Sequence, residues 1–236
     1  MKKGDKLYEG KAKIIYATDD PALVIQFFKN SLTAFNGKKT GEMEMKGAFN
    51  NAISSALFQV VEAAGVPTHF AEKLSEREML VKRMQMLPVE VVLRNVAAGS
   101  MSKRLGIKEG TPLAFPVIEF YMKNDALDDP ILNDDLAVVM DLATRDQVAL
   151  LKHRAHQVND TLSKFFDDRG VRLVDFKLEF GMFDGQMMVG DEITPDTCRL
   201  WDKETNSHLD KDRFRRDLGD VAEAYQIILD RVTKAS

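Results

Sequence analysis

From Leu173-Val174-Asp175-Phe176-Lys177-Leu178-Glu179-Phe180-Gly181, the side chains between Val174 and Phe180 alternate strictly between apolar and charged. Successive side chains of a β-strand point to opposite faces. A strand here sends Val174, Phe176, Leu178 and Phe180 into a core, and Asp175, Lys177 and Glu179 together the other way. On an arbitrary strand such a charged row is a solvated face whose opposite charges support one another. Here Asp184-Gly185 signals a hairpin, and the returning strand ends in Gly190-Asp191-Glu192 with two more carboxylates. Two carboxylates on neighbouring strands beside a lysine suit Mg²⁺ held between protein and polyphosphate. Register decides whether they meet. Glu179 faces Asp191 only across an odd-length loop or a bulge, because a two-residue turn puts Asp191 on the opposite face. The odd register is the expectation.

Outward from this hairpin, Pro88-Val89-Glu90-Val91-Val92-Leu93-Arg94 reads as a strand with Glu90 and Arg94 on one face, in the simplest reading an ion pair. Gly99-Ser100 then opens a short basic helix through Lys103 and Arg104. A Gly-Ser entry is ordinarily a plain N-cap, although it also offers unpaired N–H groups to an anion, and Arg94 beside it offers a bidentate fork. Upstream, residues 6–29 read as strands around the Glu9-Gly10-Lys11 turn, with a break at Pro21. Lys11 and Lys13 follow Gly10. Solvated lysines are the default there, yet a lysine on a glycine-bent hairpin is also how nucleotide-covering loops reach phosphates.

Three- and four-residue apolar spacing predicts helices over 42–64, 145–168 and 211–233, and further strands over 68–73, 78–86 and 89–97. Pro88 reads as a hinge between lobes. Strands dominate the first part and helices close the second, so the class is α+β (α/β), divided at residues 1–86 and 87–236.

Composition narrows the function. The 236 residues are 44% hydrophobic and 30% charged with net charge −4, which argues against a nucleic-acid binder relying on a strong positive field. One cysteine, Cys198, forms no internal disulfide, so nothing points to an oxidising compartment. The Met1-Lys2-Lys3 start lacks the apolar core of a signal peptide, and no run approaches the ~18 apolar residues of a membrane span. There is no G-x-x-x-x-G-K-[ST] and no G-x-G-x-x-G, so a nucleotide site here uses another fold. His153 and His156 have no further ligand for zinc, and no G-x-S-x-G marks a serine hydrolase. The residues alone point to a Mg-nucleotide enzyme.

Four stretches together resemble the SAICAR synthetase family: Leu7-Tyr8-Glu9-Gly10-Lys11-Ala12-Lys13, Pro88 through Ser100, Leu173 through Gly181, and Gly190-Asp191-Glu192 through Arg199-Leu200-Trp201-Asp202. The resemblance spans essentially the whole chain, at the length of the compact bacterial form. It implies an ATP-grasp-like fold, with ATP between a small β-rich N-terminal lobe and a larger C-terminal lobe. It implies a ligase of de novo purine biosynthesis that joins L-aspartate to carboxyaminoimidazole ribotide (CAIR) through an acyl phosphate, giving SAICAR, ADP and phosphate. ATP and Mg²⁺ are the implied cofactors. The adenine would rest against Lys82-Arg83-Met84, with Lys82 and Met84 as its contacts. Lys11 and Lys13 would meet the phosphates, and Glu179 and Asp191 the metal. Arg94, Ser100 and Arg199 would hold the CAIR phosphate. Asp175, Lys177 and Arg215 would be further CAIR contacts, and Lys123 and Asp129 would lie in a loop that orders around substrate. Lys177, Lys13 and Asp175 are the implied catalytic groups. A cytoplasmic homodimer without nucleic-acid or membrane partners completes the expectation. A small-molecule kinase, which stops at phosphoryl transfer, is the nearest rival. A non-catalytic nucleotide-binding module is the second, and it leaves Lys177 between two acids unexplained.

Overall fold

The alternation around Asp175 folds into a long strand that organises everything near it. In the computed structural model, which describes residues 1–234, the chain begins with strands β1 (Lys3–Glu9), β2 (Lys13–Thr18) and β3 (Leu23–Phe28). A hairpin of β4 (Ser31–Ala34) and β5 (Lys39–Glu42), helix α1 (Lys46–Ala63), β6 (Phe70–Lys73) and β7 (Glu78–Lys82) follow. Next come β8 (Gln85–Val96), α2 (Gly99–Leu105), β9 (Pro112–Met122), a 3-10 turn (Asp125–Leu127), β10 (Ile131–Leu132), α3 (Asp134–Val139) and α4 (Arg145–Asp167). The chain continues through β11 (Val171–Phe183), β12 (Gln186–Gly190), β13 (Cys198–Asp202), α5 (Asp212–Arg215) and α6 (Val221–Thr233). The mixed helix-and-sheet class expected from the sequence holds.

Two antiparallel sheets carry the architecture. The first has the order β1-β2-β3-β7-β6, and the second β10-β9-β8-β11-β12, with β13 also on β11. The core faces of β8, β9 and β11 present Val89, Val91, Leu93, Phe120, Phe176, Leu178 and Phe180, all buried. They pack with the apolar stripe of α4, namely Val148, Leu151, Ala155, Val158, Leu162 and Phe166. A capping box between Thr144 and Gln147 fixes where that helix starts. The same core continues through α1 to Val24, Phe28, Met79 and Val81 of the first sheet, so one apolar body joins both sheets.

Five expectations are corrected. Val174 does not share the core of Phe176. Pairing of β11 with β13 steps from Leu173↔Leu200 to Asp175↔Arg199, a bulge that inserts one residue and reverses the alternation. Val171 and Leu173 therefore face the main core, while Val174 joins a separate cluster with Val96, Ala98 and Trp201. Pro88 is no hinge. It lies inside β8, where the register shift opposite Glu179–Gly181 tolerates a residue without an N–H, and its carbonyl accepts from the Lys123 N–H at 3.1 Å. The chain crosses between sheets earlier, at Arg83-Met84, and the strand expected over 78–86 is split there. The helix expected over 211–233 is two, α5 and α6, broken where Asp217, Gly219 and Asp220 take positive φ. The fifth correction, the hairpin register, belongs to the site.

Phe176 is 1% exposed, so Phe176→Ala is expected to cost about 3–5 kcal/mol through lost burial and a residual cavity. Urea unfolding followed by circular dichroism measures it. A loss under ~1 kcal/mol would show that the core refills the space.

Candidate active site

The face of the second sheet opposite α4 carries the charge. Asp175, Lys177 and Glu179 of β11 stand beside Arg94, Val92 and Glu90 of β8, their direct cross-strand partners. Val92 and Glu90 are paired in turn with Glu119 and Tyr121 of β9. Strand β11 has an unusual second edge. Its C-terminal half pairs with β12, ending at Glu179↔Gly190, and its N-terminal half pairs with β13, starting at Phe176↔Cys198. Between them the chain leaves the sheet as an excursion over residues 191–197, with the Lys177 N–H donating to the Thr197 carbonyl at 2.8 Å.

This excursion replaces the expected odd register. The turn is the two-residue Asp184-Gly185, and Glu179 opposes Gly190 rather than Asp191. Strand geometry ends at Gly190, and Asp191 takes φ +60°. That left-handed turn frees the Asp191 carboxylate from pleat alternation, so it returns to the face that Glu179 occupies. Gln26 holds the turn by donating to the Asp191 carbonyl at 3.1 Å.

Two charge systems result. In the first, Lys177 Nζ donates to Glu179 at 2.6 Å and Glu90 at 2.8 Å, and lies 3.9 Å from Asp191. Lys13 reaches across from β2 to donate to Asp191, and to Glu192 at 3.0 Å. Lys123 donates to Glu179. Glu90 therefore serves Lys177 and not Arg94. Burial opposes charge on Lys177 and on Lys13, but the surrounding carboxylates win and hold both ammonium groups above their ordinary pKa. Burial likewise works against Glu179, yet Lys177 and Lys123 pull it well below the carboxylate range. Asp191 goes the other way, pushed up by burial and then by the Glu179 charge.

In the second system Arg94 is 3% exposed and fully engaged. It donates to Asp175 at 2.6 Å, Glu119 at 2.8 Å and the Ser100 hydroxyl at 3.1 Å. Arg199 donates to Asp175 at 2.9 Å and Asp212 at 2.9 Å, and Arg215 to Asp212 at 2.6 Å. Gly99 has φ +55°, and a Cβ there would collide with the Arg199 guanidinium. The glycine thus serves Arg199's approach and a conformation that side chains disfavour.

Both systems open into one cavity of about 500 Å³. It brings together Lys11, Lys13, Arg94, Ser100, Lys123, Asp175, Lys177, Glu179, Asp191, Arg199 and Arg215 from the sequence-predicted set. Eight cationic side chains line it against six carboxylates, a surplus of two positive charges in a chain of net charge −4. Lys11 is tied to Asn36 and Asp125, each at 2.8 Å. Asp129 lies outside, in an adjoining hollow also bordered by Lys11, Ser100 and Arg215, and accepts from the Asn124 N–H at 2.8 Å. Lys82 and Met84 do not line the cavity. Lys82 donates to the Thr68 carbonyl at 3.2 Å, and Met84 packs so closely on Gly190 that a Cβ there would meet its methyl.

Sequence reasoning missed Glu119 and Tyr121, which brace Arg94; the β-rich run Val117–Met122 was the available signal. It also missed Asp212, whose arginine partners no spacing rule connects. Among the described residues, His208, Asp210 and Asp212 form the group whose ligand atoms all lie within 4.8 Å. Their contacts are structural. Asp210 accepts the Leu200 and Asp212 N–H groups at 2.8 and 2.7 Å, and Asp212 is spent on arginines.

Residues 6–232 match the model of the SAICAR synthetase family. A phosphoribosylaminoimidazole-succinocarboxamide synthase of Pelodictyon phaeoclathratiforme is 56% identical over 98% of this chain and 98% of its own. One from Deinococcus radiodurans is 55% identical over 99% of both. The crystal structure of such a synthase from Ehrlichia chaffeensis superposes with a TM-score of 0.96 at 46% identity, covering 98% of this chain and 100% of that one. A SAICAR synthetase in complex with ADP superposes at 0.93 with 43% identity, covering 96% and 97%.

Because Glu179 titrates lower in the folded chain than in the unfolded one, its stabilisation is complete above an ordinary carboxylate pKa of about 4 and is lost as pH falls toward its depressed value. Glu179→Gln is expected to lower stability by about 1–3 kcal/mol at neutral pH. Its deficit should shrink below pH ~4. Urea titrations at a series of pH values test this, and a deficit that stays constant would refute the assignment.

Proposed function

The chain belongs to the SAICAR synthetase family, and we propose that it joins L-aspartate to CAIR at the expense of ATP in purine biosynthesis. The observation that carries the reading is the shared cavity, where an arginine-serine anchor and a lysine-carboxylate cluster face the same space. A ribotide brings a phosphate for the first, and a nucleotide polyphosphate suits the second. Family membership favours this ligase reading over the kinase alternative.

A carboxylate is a poor acyl donor, so the CAIR carboxylate first takes the γ-phosphoryl group of ATP, releasing ADP. The aspartate amine then attacks the acyl carbon, the amide C–N bond forms, phosphate leaves with the C–O bond electrons, and the amine gives up a proton. Phosphoryl transfer asks the protein for in-line positioning and charge neutralisation. Lys13 and Lys177 supply fixed positive charge at the transferring group, and Lys11 adds to it at the cavity mouth. The same cations favour the oxyanion that forms when the amine attacks. Arg94, Ser100 and Arg199 hold the CAIR phosphate by charge-assisted bonds. Asp175 keeps both arginines aligned, and with Lys177 and Arg215 it completes the CAIR contacts.

Glu179 and Asp191 would hold Mg²⁺. The donor set fits: Mg²⁺ is commonly bound by one or two carboxylates plus substrate phosphates, and the repulsion that raises Asp191 is relieved by a further cation. When bound, Mg²⁺ would neutralise charge on the phosphate oxygens. Lys123 and Asp129 flank the 3-10 turn at Asp125–Leu127 and would order around substrate. The adenine would rest by Lys82 and Met84, where the chain passes between the sheets. The lobes 1–86 and 87–236, in an ATP-grasp-like arrangement, would enclose the nucleotide. A cytoplasmic homodimer is the accompanying proposal, and no helix among the described residues is long and apolar enough to cross a membrane.

ADP release measured with Mg-ATP, CAIR and aspartate, omitting each in turn, is expected only with all three present. Asp191→Asn should abolish it. Release that ignores aspartate would overturn the ligase reading. Arg94→Ala should weaken CAIR binding about tenfold to more than a hundredfold, the worth of a charge-assisted bond. Titration calorimetry with CAIR checks it, and unchanged affinity would remove Arg94 from the phosphate site.

A further inference from the structure

Seven of the eight cations around the cavity are already neutralised at close range. Lys11, Arg94, Lys177, Arg199 and Arg215 each have a carboxylate oxygen at 2.6–2.9 Å, and Lys13 and Lys123 touch Asp191 and Glu179. Lys211 is the exception. Among the described residues its nearest carboxylate is Asp196, at 3.8 Å, and that group is committed elsewhere. Asp196 Oδ2 is ion-paired at 2.6 Å with Lys46, which is 0% exposed, and its Oδ1 accepts from the Tyr225 hydroxyl at 2.5 Å. Lys211 therefore shares Asp196 with Lys46 of α1 and Tyr225 of α6, both of which hold it at closer range.

The lysine cannot leave the cavity wall. Its N–H donates to the Pro195 carbonyl at 3.0 Å, its side chain is 13% exposed, and Arg215 follows one turn later. A buried ammonium with half a partner costs free energy until an anion arrives. Burial is the main cause of its lowered pKa, and Asp196 does not make up the loss.

We propose that Lys211 receives a carboxylate of the amino-acid co-substrate, an assignment that rests on the ligase reading above. The ribotide phosphate has a preassembled anchor in Arg94, Ser100 and Arg199. The polyphosphate has Lys13 and Lys177. Lys211 lines the same cavity as Arg215, counted among the ribotide contacts, and Glu192, the partner of Lys13 on the polyphosphate side. The CAIR carboxylate meets the γ-phosphoryl group at the polyphosphate cations, so the anions left without a cation are the two aspartate carboxylates, which survive unchanged into the product.

Lys211→Met tests this by initial rates with each substrate varied. The KM for aspartate is expected to rise about tenfold to a hundredfold, the loss of one charge-assisted bond. The KM values for CAIR and ATP, and kcat, should stay within about threefold, as for loss of uniform binding. Succinate, the dicarboxylate without the amine, should compete with aspartate in the wild type and weaken by the same factor in the variant, a readout that a purely structural lysine would not move. Lys211→Arg keeps the charge and should recover most of the affinity. A rise in the CAIR KM instead, or an unchanged aspartate KM in a folded variant, overturns the Lys211 assignment alone. ADP release by the wild type without aspartate overturns the ligase reading and this inference with it.

Discussion

Charge removed from water on one face of β11 is the constraint on which the site depends. Asp175 and Glu179 are 3% and 6% exposed. A buried carboxylate is tolerated only with partners at hydrogen-bond distance. Several neighbouring elements therefore supply a cation: β8 gives Arg94, β13 gives Arg199, the end of β9 leads to Lys123, and β2 sends Lys13 across from the other sheet. Buried ion pairs of this kind are weak evidence for stability, because apolar residues of similar volume often serve as well. Their concentration around one cavity, with a net positive excess, is instead what binding polyanions requires.

The same strand solves a second problem by changing partners along one edge. Pairing with β12 stops at Glu179 and pairing with β13 begins at Phe176. The intervening chain must leave the sheet, and it leaves over the charged face. Asp191, Glu192, Asp196 and Thr197 reach the cavity through this excursion, and its turn at Asp191 uses a left-handed backbone where most functional loops would use glycine. An aspartate tolerates that conformation better than most side chains. Deep anchors stabilise the excursion: Lys46 and Tyr225 grip Asp196, and Ser54 accepts the Ile193 N–H at 3.2 Å.

Much of this was legible. The period-two pattern of Asp175, Lys177 and Glu179 identified the charged face because alternation is a local property of the backbone. The apolar spacing of α1 and α4 was equally local, and each falls within four residues of its expected limits. Arg94, Lys13 and Asp191 stood out from strand and turn patterns, and Arg199 only through four stretches read together. Three local rules failed, two of them where something non-local intervened. The bulge at Val174 exists because β13 pairs out of step with β11. The proline at 88 is absorbed by a register shift facing Gly181. The break between α5 and α6 follows a run of left-handed residues that helical spacing alone passes over.

The sequence by itself thus determined the class of fold, the charged strand and, through its motifs, the family, since each is written in short-range pattern. Only the tertiary structure decided that Glu90 serves Lys177, that Glu119 braces Arg94, and that Asp191 turns back despite an even hairpin. It alone left Lys211 with half a partner. Pairing among charges depends on which carboxylate lies nearest in space, and that distance is fixed by contacts between segments far apart in the chain.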